Sequence, residues 1–393
     1  MSSQRGPASS RLVESATELA IEAGPAALTA RALAANAGAS PSAMNYHFGG
    51  RDGLIVGVHR ELTGRRAAWR AAALAGPTCI PGAPAWTFML SAIFDLAVTR
   101  RGETLALFEF EALAGPHNAA LAEAVRAEHA VQFDFWEAAV VRMGGAADQA
   151  YVWANFALCA VRFALLDEAS AALGWLAPSL LRLCERMEGR ATPAATPWLA
   201  DAEPPGSLPA RSAGAQRLLA AALEIIGRQG LHAVTLRRVA EAAGLSLAST
   251  TYFFETKADI VLAAFAQLRD SISVAALDGG LEGVSGFSRV LLSPEGEMRW
   301  EVGAMHALYL AGARNPDLRD VALSLRRQSG QTSAAWLARR AKITCDRLDA
   351  FVWSTYGMGV QEALGHLPPD ARRAAMDQSI RRAGLAVFGI AEL

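Results

Sequence analysis

The sequence predicts an all-α protein made of two copies of one unit, and two observations lead to that prediction. Residues 11–60 align with residues 217–266 at a constant offset of 206 positions without a gap, and 14 of the 50 positions are identical. After each copy, apolar residues recur at helical spacing, and strand-like alternation is not apparent. With 393 residues, of which 52% are hydrophobic and 19% charged, the chain is long and apolar enough for two helical domains.

The repeated unit reads as three short helices. Its shared residues are turn glycines, cap hydroxyls and aromatics. In the first copy they are Gly24, Thr29, Ala34, Gly38, Ser40, Tyr46 and Phe48. In the second copy they are Gly230, Thr235, Ala240, Gly244, Ser246, Tyr252 and Phe254. Glycine accepts the left-handed conformation that ends the first helix, and the hydroxyls cap the second and third helices.

Two helices joined by a glycine-containing turn are typical of proteins that place a helix in the major groove of DNA. Side chains on the short third helix can reach base edges, and we predict such contacts for Ser42, Ala43, Asn45 and His47, and for Ala248, Ser249, Thr251 and Phe253. The neighbouring polar residues suit phosphate oxygens, and we predict these contacts for Thr29, Arg31, Ser40, Tyr46 and Arg51, and for Thr235, Arg237, Arg238, Ser246, Tyr252 and Lys257.

Bulk charge adds little to this hypothesis. The net charge is −1, and residues 1–60 hold five arginines against four acidic residues. Residues 207–270 hold seven basic against five acidic residues. The DNA-binding hypothesis therefore rests on the motif and not on a basic surface.

Both halves resemble the TetR/AcrR family of bacterial transcriptional regulators. The resemblance covers about 50 residues in each half and includes Leu54, Lys257 and Ile260 beside the repeated residues given above. It implies that each N-terminal head binds DNA, while each helical body binds a small ligand and dimerises. It also implies repression as the mode of action. The first copy departs from the family at 49–53, where the family usually has a small residue followed by a lysine and an acidic residue. Arg51 stands in place of that lysine, and Gly53 weakens the start of the fourth helix.

A proline-rich segment separates the two halves, since residues 190–210 hold five of the 17 prolines. We therefore predict a first head, a first body, a linker, a second head and a second body at 1–50, 51–189, 190–210, 211–256 and 257–393. Because the family usually acts as homodimers on palindromes, two joined heads imply an intramolecular pseudo-dimer. The third helices differ in sequence, which predicts an imperfect or asymmetric operator with half-sites about one helical turn apart. A homodimer with four heads is the alternative arrangement.

The bodies read as long helices. In the first half we predict them at 51–75, 85–101, 103–114, 118–143, 146–168 and 173–189. In the second half we predict them at 257–275, 284–293, 297–313, 316–341, 345–366 and 369–390. The helices at 146–168, 173–189, 345–366 and 369–390 are the predicted interface between the bodies, because the first of them is apolar on two faces.

Large side chains in the bodies are candidates for an effector pocket, with an apolar or aromatic effector as the expected ligand. The candidates are Trp86, Met89, Phe108, Phe110, Phe133, Trp136 and Trp153 in the first body, and Trp300, Met305, His306, Tyr309, Trp336, Trp353 and Tyr356 in the second. Each of them also suits an ordinary core.

Other function classes find little support. No catalytic, cofactor or metal-binding motif appears, so we expect neither an enzyme nor a cofactor. Four dispersed cysteines, no apolar run of 18 residues and no secretory signal predict a cytoplasmic protein. The remaining alternative is a ligand-binding or protein-interaction module whose heads have lost DNA binding wholly or in part.

Overall fold

The computed structural model describes residues 7–37, 41–114, 118–193, 196, 199, 211–278, 292–293, 295–330, 345–365 and 367–390. The first half contains α1 (Pro7–Ala23), α2 (Ala30–Ala37), α3 (Pro41–Phe48), α4 (Arg51–Ala75), α5 (Ala85–Phe94), α6 (Arg101–Leu113), α7 (Ala119–Arg142), α8 (Ala147–Ala164) and α9 (Ala169–Met187). The second half contains α10 (Ala213–Gln229), α11 (Leu236–Ala242), α12 (Leu247–Phe253), α13 (Lys257–Asp278), α14 (Trp300–Arg314), α15 (Pro316–Gln328), α16 (Arg347–Gly365) and α17 (Pro369–Phe388). The predicted all-α fold is confirmed.

Several predicted helix bounds differ from the structure. The helix at 146–168 ends at Ala164, and the helix at 173–189 begins at Ala169. The helix at 85–101 ends at Phe94 and gives way to a π-helical turn over Asp95–Thr99. The helix at 316–341 ends at Gln328, since Ser329 leaves the helical conformation with ψ 136° and Gly330 follows with φ +90°. The helix at 284–293 lies outside the described residues except for its last two.

Contacts divide the chain into two compact units, which are residues 1–79 with 95–135 and residues 80–94 with 136–393. Within the described part, backbone pairing outside helices and turns is limited to one antiparallel bridge between Leu292 and Met298. No helix in the described ranges combines the length and the apolar character that a membrane span requires.

The core of the first unit joins the first head to its body. Helix α1 contributes Ala16 and Ala20, α4 contributes Leu54 and Val58, and α6 contributes Phe110, and all five are fully buried in one cluster. Helix α4, which belongs to this cluster, begins three residues after α3, so the third helix is directly followed by a helix that packs against α6.

The second unit contains a four-helix bundle of α8, α9, α16 and α17, so the two halves pack against each other as predicted. Helices α8 and α16 form its centre, and their backbones come close. A Cβ at Gly359 would lie 1.7 Å from the carbonyl oxygen of Asn155, so only glycine fits there. The predicted packing of the two halves against each other within one chain is confirmed for these four helices.

Buried ion pairs cross the boundary between the halves inside this unit. Arg162 Nε donates to Glu362 Oε1 at 2.8 Å, and both side chains are about 95% buried, with 5% and 6% exposed. Arg182 Nη1 donates to Asp349 Oδ1 at 3.0 Å. Such pairs require close geometry because taking both charges out of water costs free energy.

The head and body of the second half also meet inside the second unit. A Cβ at Gly227 of α10 would lie 2.0 Å from the Trp300 carbonyl oxygen, and a Cβ at Gly303 of α14 would lie 2.3 Å from the Gly227 carbonyl oxygen. The equivalent of Gly227 in the first half is Ile21, whose side chain faces Gly102 of α6. The two halves therefore join head to body with different packing.

Candidate nucleic-acid interface

Side-chain caps begin the short helices of both heads. Thr29 Oγ1 accepts from the Ala32 amide at 3.2 Å, and Thr235 Oγ1 accepts from the Arg238 amide at the same distance. Ser246 Oγ accepts from the Ser249 amide at 3.0 Å. These three predicted caps are confirmed, and Ser40 lies outside the described residues. The hydroxyl oxygens are thus engaged by the backbone, while Thr29, Thr235 and Ser246 remain exposed at helix N-termini, where anions are favoured.

The third helix of the first head, α3, presents Asn45, Tyr46 and His47 to solvent. Tyr46 has 85% of its surface exposed, and its ring contacts the His47 ring edge-on at 4.9 Å. The predicted contacts Ser42 and Ala43 lie in α3, but their side chains are outside the described residues. Exposed amide, imidazole and phenol groups at the end of one helix can donate and accept hydrogen bonds at a DNA surface.

The third helix of the second head, α12, is less polar. Tyr252 is 84% exposed, and Leu247, which the sequence analysis missed, is 48% exposed. Thr251 is exposed, and its hydroxyl donates to the carbonyl groups of Leu247 and Ala248 in its own helix. Ala248 is exposed and Ser249 is half-buried, with its hydroxyl 2.8 Å from the Ser246 hydroxyl.

Phe253 is half-buried, because its ring packs against the start of α10. A Cβ at Gly214 of that helix would lie 3.2 Å from the Phe253 ring. Its predicted role at base edges remains a prediction, and its contact with α10 also gives it a packing role.

The predicted cations differ in exposure and in the groups that they contact. Arg31 and Arg237 are exposed, and Arg237 pairs with Glu241 on the helix surface at 3.0 Å. Arg238 donates to the Ala233 carbonyl at 2.8 Å and to the Gln229 side chain. Exposed i,i+4 pairs are weak, so Arg237 can exchange its partner for a phosphate, whereas Arg238 also holds the preceding turn.

Arg51 and Lys257 occupy equivalent positions at the start of the fourth helices. Arg51 Nε donates to the Leu28 carbonyl at 2.8 Å, and Lys257 Nζ donates to the Leu231 carbonyl at 3.1 Å. Burial lowers the pKa of Lys257. Each cation therefore ties the fourth helix to the turn before the second helix, and it does so in both copies.

Two residues that the sequence analysis missed set the start of α13. The Thr256 amide donates to Asp259 Oδ2 at 2.8 Å, and the Asp259 amide donates to Thr256 Oγ1 at 3.2 Å. This reciprocal pair is a capping box, and its T-x-x-D spacing is visible in the sequence. Helix α4 begins at Arg51, and its N-cap residue Gly50 provides no side-chain cap, in agreement with the weaker start expected from Gly53.

The predicted effector residues are distributed through cores of both units. Among them, the fully or nearly fully buried side chains are Met89, Phe110, Trp136, Trp153, Tyr309, Trp353 and Tyr356. The half-buried ones are Trp86, Phe108, Phe133, Trp300, Met305 and His306. Trp336 lies outside the described residues. Burial, together with the nearby Arg162 charge, lowers the pKa of His306 to about 3, so its ring is neutral at pH 7.

Trp353 and Tyr356 line a small cavity in the four-helix bundle. Its volume of about 10 Å³ has room for about one water molecule. The Tyr356 hydroxyl is already satisfied, because it donates to the Ser379 carbonyl at 2.7 Å. This cavity therefore holds no aromatic effector in the present conformation. The described residues include no cluster of three or more metal-ligating side chains.

Comparison with known proteins agrees with the repeat. The model of the tetR family of bacterial regulatory proteins matches residues 12–58 and 218–264, which are equivalent segments at the offset of 206. A similar solved structure is the crystal structure of the multidrug binding protein EbrR complexed with imidazole. It is 27% identical, covers 43% of this chain and 96% of that chain, and has a TM-score of 0.27. No match is found among curated proteins. The chain is therefore a tandem of two TetR-like units, each headed by an N-terminal segment of the tetR family of bacterial regulatory proteins.

Proposed function

We propose that the chain is a sequence-specific DNA-binding transcriptional regulator whose two unlike heads bind one operator. The observation that carries the proposal is the exposure of one equivalent tyrosine in each head. Tyr46 and Tyr252 have 85% and 84% of their surfaces exposed at the ends of α3 and α12. A large aromatic side chain is usually well buried, so two fully outward tyrosines at matched positions favour a contact with another molecule.

The surroundings of the tyrosines favour DNA as that molecule. Each tyrosine ends a short helix that follows a capped second helix, and exposed Arg31 or Arg237 lies on the helix before it. Phenol and guanidinium groups donate to phosphate oxygens, which fix the position of a helix in the groove. The heads lack a strongly basic surface, so affinity depends on a small number of well-placed contacts.

The different third helices favour unlike half-sites. Asn45 and His47 offer polar groups in the first head, whereas Leu247 and the Thr251 methyl group offer apolar contacts in the second. Amide side chains suit adenine, and methyl or aliphatic groups suit the thymine methyl. We infer an asymmetric operator and one chain, acting as a pseudo-dimer, on each operator.

Regulation by a small molecule follows from the continuity of head and body. Helices α4 and α13 are 25 and 22 residues long and run from the heads into the bodies. An effector that binds one arrangement of the bodies more tightly shifts the heads through these helices. We propose release of DNA by an apolar or aromatic effector, and therefore repression, as the mode of action.

The test is selection of bound DNA from random duplexes, followed by affinity measurements on the enriched sequence. Tyr46→Phe and Tyr252→Phe are each expected to weaken binding roughly 10-fold or more, because a hydrogen bond to a charged group is lost. Leu385→Ala, at a side chain 51% exposed on α17, is the matched control and should bind like the wild type.

Enrichment of a sequence with two unlike half-sites would support the proposal. If no sequence is enriched at moderate salt, the chain is a binding module whose heads have lost DNA affinity. If two identical half-sites are enriched, the asymmetric operator is wrong although DNA binding stands.

A further inference from the structure

The bundle helices of the two halves are related by a second offset, of 200 positions. Six of the 41 positions in 147–187 are identical to those in 347–387, including Val152 with Val352 and Trp153 with Trp353. These identities alone are few. The hydrogen bonds and ion pairs of the second unit give independent evidence that the same positions are equivalent.

Matched side chains make matched contacts in the bundle. Ser179 Oγ donates to the carbonyl four residues earlier at 2.7 Å, and Ser379 Oγ does the same at 2.7 Å. Arg182 of α9 pairs with Asp349 in the first turn of α16. Its equivalent Arg382 of α17 pairs at 3.1 Å with Asp148 in the first turn of α8, one position before Gln149, which is the equivalent of Asp349. The bundle is therefore approximately pseudo-symmetric, and the contacts of residues 200 apart match to within one position.

Under this relation, Arg162 and Glu362 are equivalent to each other. They are also in direct contact, with 2.8 Å between Arg162 Nε and Glu362 Oε1. A residue that contacts its own equivalent lies close to the pseudo-two-fold axis. In a symmetric pair of like halves, such a position faces an identical residue.

If a half paired with a second copy of itself, two buried charges of the same sign would therefore meet. Two copies of half one (residues 1–189) would bring Arg162 against Arg162, and two copies of half two (residues 211–393) would bring Glu362 against Glu362. Repulsion between desolvated like charges is strong, because little water screens them. Only the unlike pair brings a guanidinium to a carboxylate.

Shape adds a second restriction for half one. The equivalent of Gly359 is Cys159, and a Cβ at Gly359 would lie 1.7 Å from the Asn155 carbonyl oxygen. Two copies of half one would put the Cys159 side chain at that place, so the α8 backbones could not approach as closely. Two copies of half two would keep the glycine, which leaves Glu362 as the group that opposes their pairing.

We propose that Arg162 and Glu362 determine the pairing specificity of this bundle, so that each half accepts the unlike half and rejects a second copy of itself. The pair thereby selects one chain with two heads over an assembly of chains joined through like halves. This inference does not depend on DNA binding, and its tests contain no DNA.

The first test inverts charges in the full chain and follows unfolding in urea. Arg162→Glu and Glu362→Arg should each lower the folding equilibrium constant roughly 100-fold or more, since each leaves two like charges buried. Arg162→Glu with Glu362→Arg should recover most of that loss. The exposed pair Arg228 and Glu224, at 2.9 Å and more than half exposed, is the matched control, and its inversions should change little.

The proposal would be overturned if the single inversions lowered the folding equilibrium constant as little as the control inversions do. It would also be overturned if the double inversion were no more stable than the single inversions. A single variant that does not fold, beside a double variant that does, supports it.

The second test measures pairing itself. A protease site is introduced within residues 200–210, and the cleaved protein is unfolded, refolded and analysed by native mass spectrometry. We expect only half one with half two from the wild type. Arg162→Met with Glu362→Met should also give half two paired with half two, because the charges that reject it are gone. Like pairs in the wild type, or their absence from this double variant when it refolds, would overturn the proposal.

Discussion

Buried arginines of the second unit are held by carboxylates from the opposite half. Arg162 pairs with Glu362, Arg182 with Asp349, and Arg326 of half two pairs with Asp167 of half one. Replacing such pairs by apolar residues often leaves stability unchanged, whereas removing one partner is costly. Their main effect is therefore on which surfaces fit together.

Gly359 is the residue on which the closest helix contact depends. Gly359→Ala would bring a Cβ to 1.7 Å from the Asn155 carbonyl oxygen, so α8 and α16 must separate. We expect a loss of at least about 2 kcal/mol in the free energy of unfolding, measured by urea denaturation. Gly174→Ala is the control, since no atom lies within 4 Å of a Cβ there. Equal stability of both variants would show that the helices are not in close contact.

His59 makes the first unit sensitive to acid. The side chain is 2% exposed against Phe110, and burial lowers the pKa of His59 to about 4 from the usual 6.5. Between these values the unfolded chain binds a proton that the folded chain does not, so stability falls as the pH drops from 6.5 to about 4. The slope for this group is up to about 1.4 kcal/mol per pH unit.

His59→Leu should remove that part of the pH dependence. Urea unfolding midpoints at pH 7.5 and pH 5 are compared for the variant and the wild type. The wild type should lose more stability on acidification than the variant. The assignment of this titration to His59 would be wrong if both lost the same amount.

At the scale of single elements, the starts of the fourth helices differ between the halves. Helix α13 has the capping box of Thr256 and Asp259, and α4 has no side-chain cap. Thr256→Ala should therefore reduce the free energy of unfolding by about 1 kcal/mol, as measured by urea denaturation. Thr256→Ser keeps the hydroxyl and should stay near the wild type. A full loss with serine would mean that the methyl group matters and the cap does not.

Much of the helix pattern was predictable because local signals mark it. Glycine and cap hydroxyls define the heads, and helix α4 has the predicted bounds of 51–75. The early end of α15 was not predicted. Gly330 follows it with φ +90°, and a Cβ there would lie 2.3 Å from the Ala350 carbonyl oxygen, a close approach that depends on the tertiary fold. The π-helical turn at Asp95 also lies at a contact that is distant in sequence, since the Asp95 carboxylate accepts a hydrogen bond from the Trp69 indole at 2.7 Å.

The helix-turn-helix motif of the candidate interface was predictable from the sequence, but the hydrogen-bond acceptors of its cations were not. Tyr46 and Tyr252 were predicted as contacts from their positions, and the structure exposes both. The sequence did not indicate that Arg51, Arg238 and Lys257 donate to backbone carbonyls, because those bonds depend on tertiary placement of the turns. The 200-residue offset of the bundles was also missed, since so few of its positions are identical.

At the scale of the whole molecule, the two heads need not contribute equally to DNA binding. The second head has two adjacent arginines, of which Arg237 is exposed in a weak surface pair, whereas the first head has Arg31 at that place. Arg237→Ala with Arg238→Ala should weaken binding to the selected duplex more than Arg31→Ala, and should reduce the salt dependence more. Arg217→Ala, on α10, is a surface control. Equal losses would contradict this ranking.

We propose that one chain supplies both heads to one operator. Light scattering of the protein, free and mixed with the selected duplex, tests this stoichiometry. We predict a free mass of 41.5 kDa and a complex of one chain with one duplex that carries two unlike half-sites. A complex of two chains on one duplex would mean four heads per operator, and the proposed pseudo-dimer on one operator would be wrong.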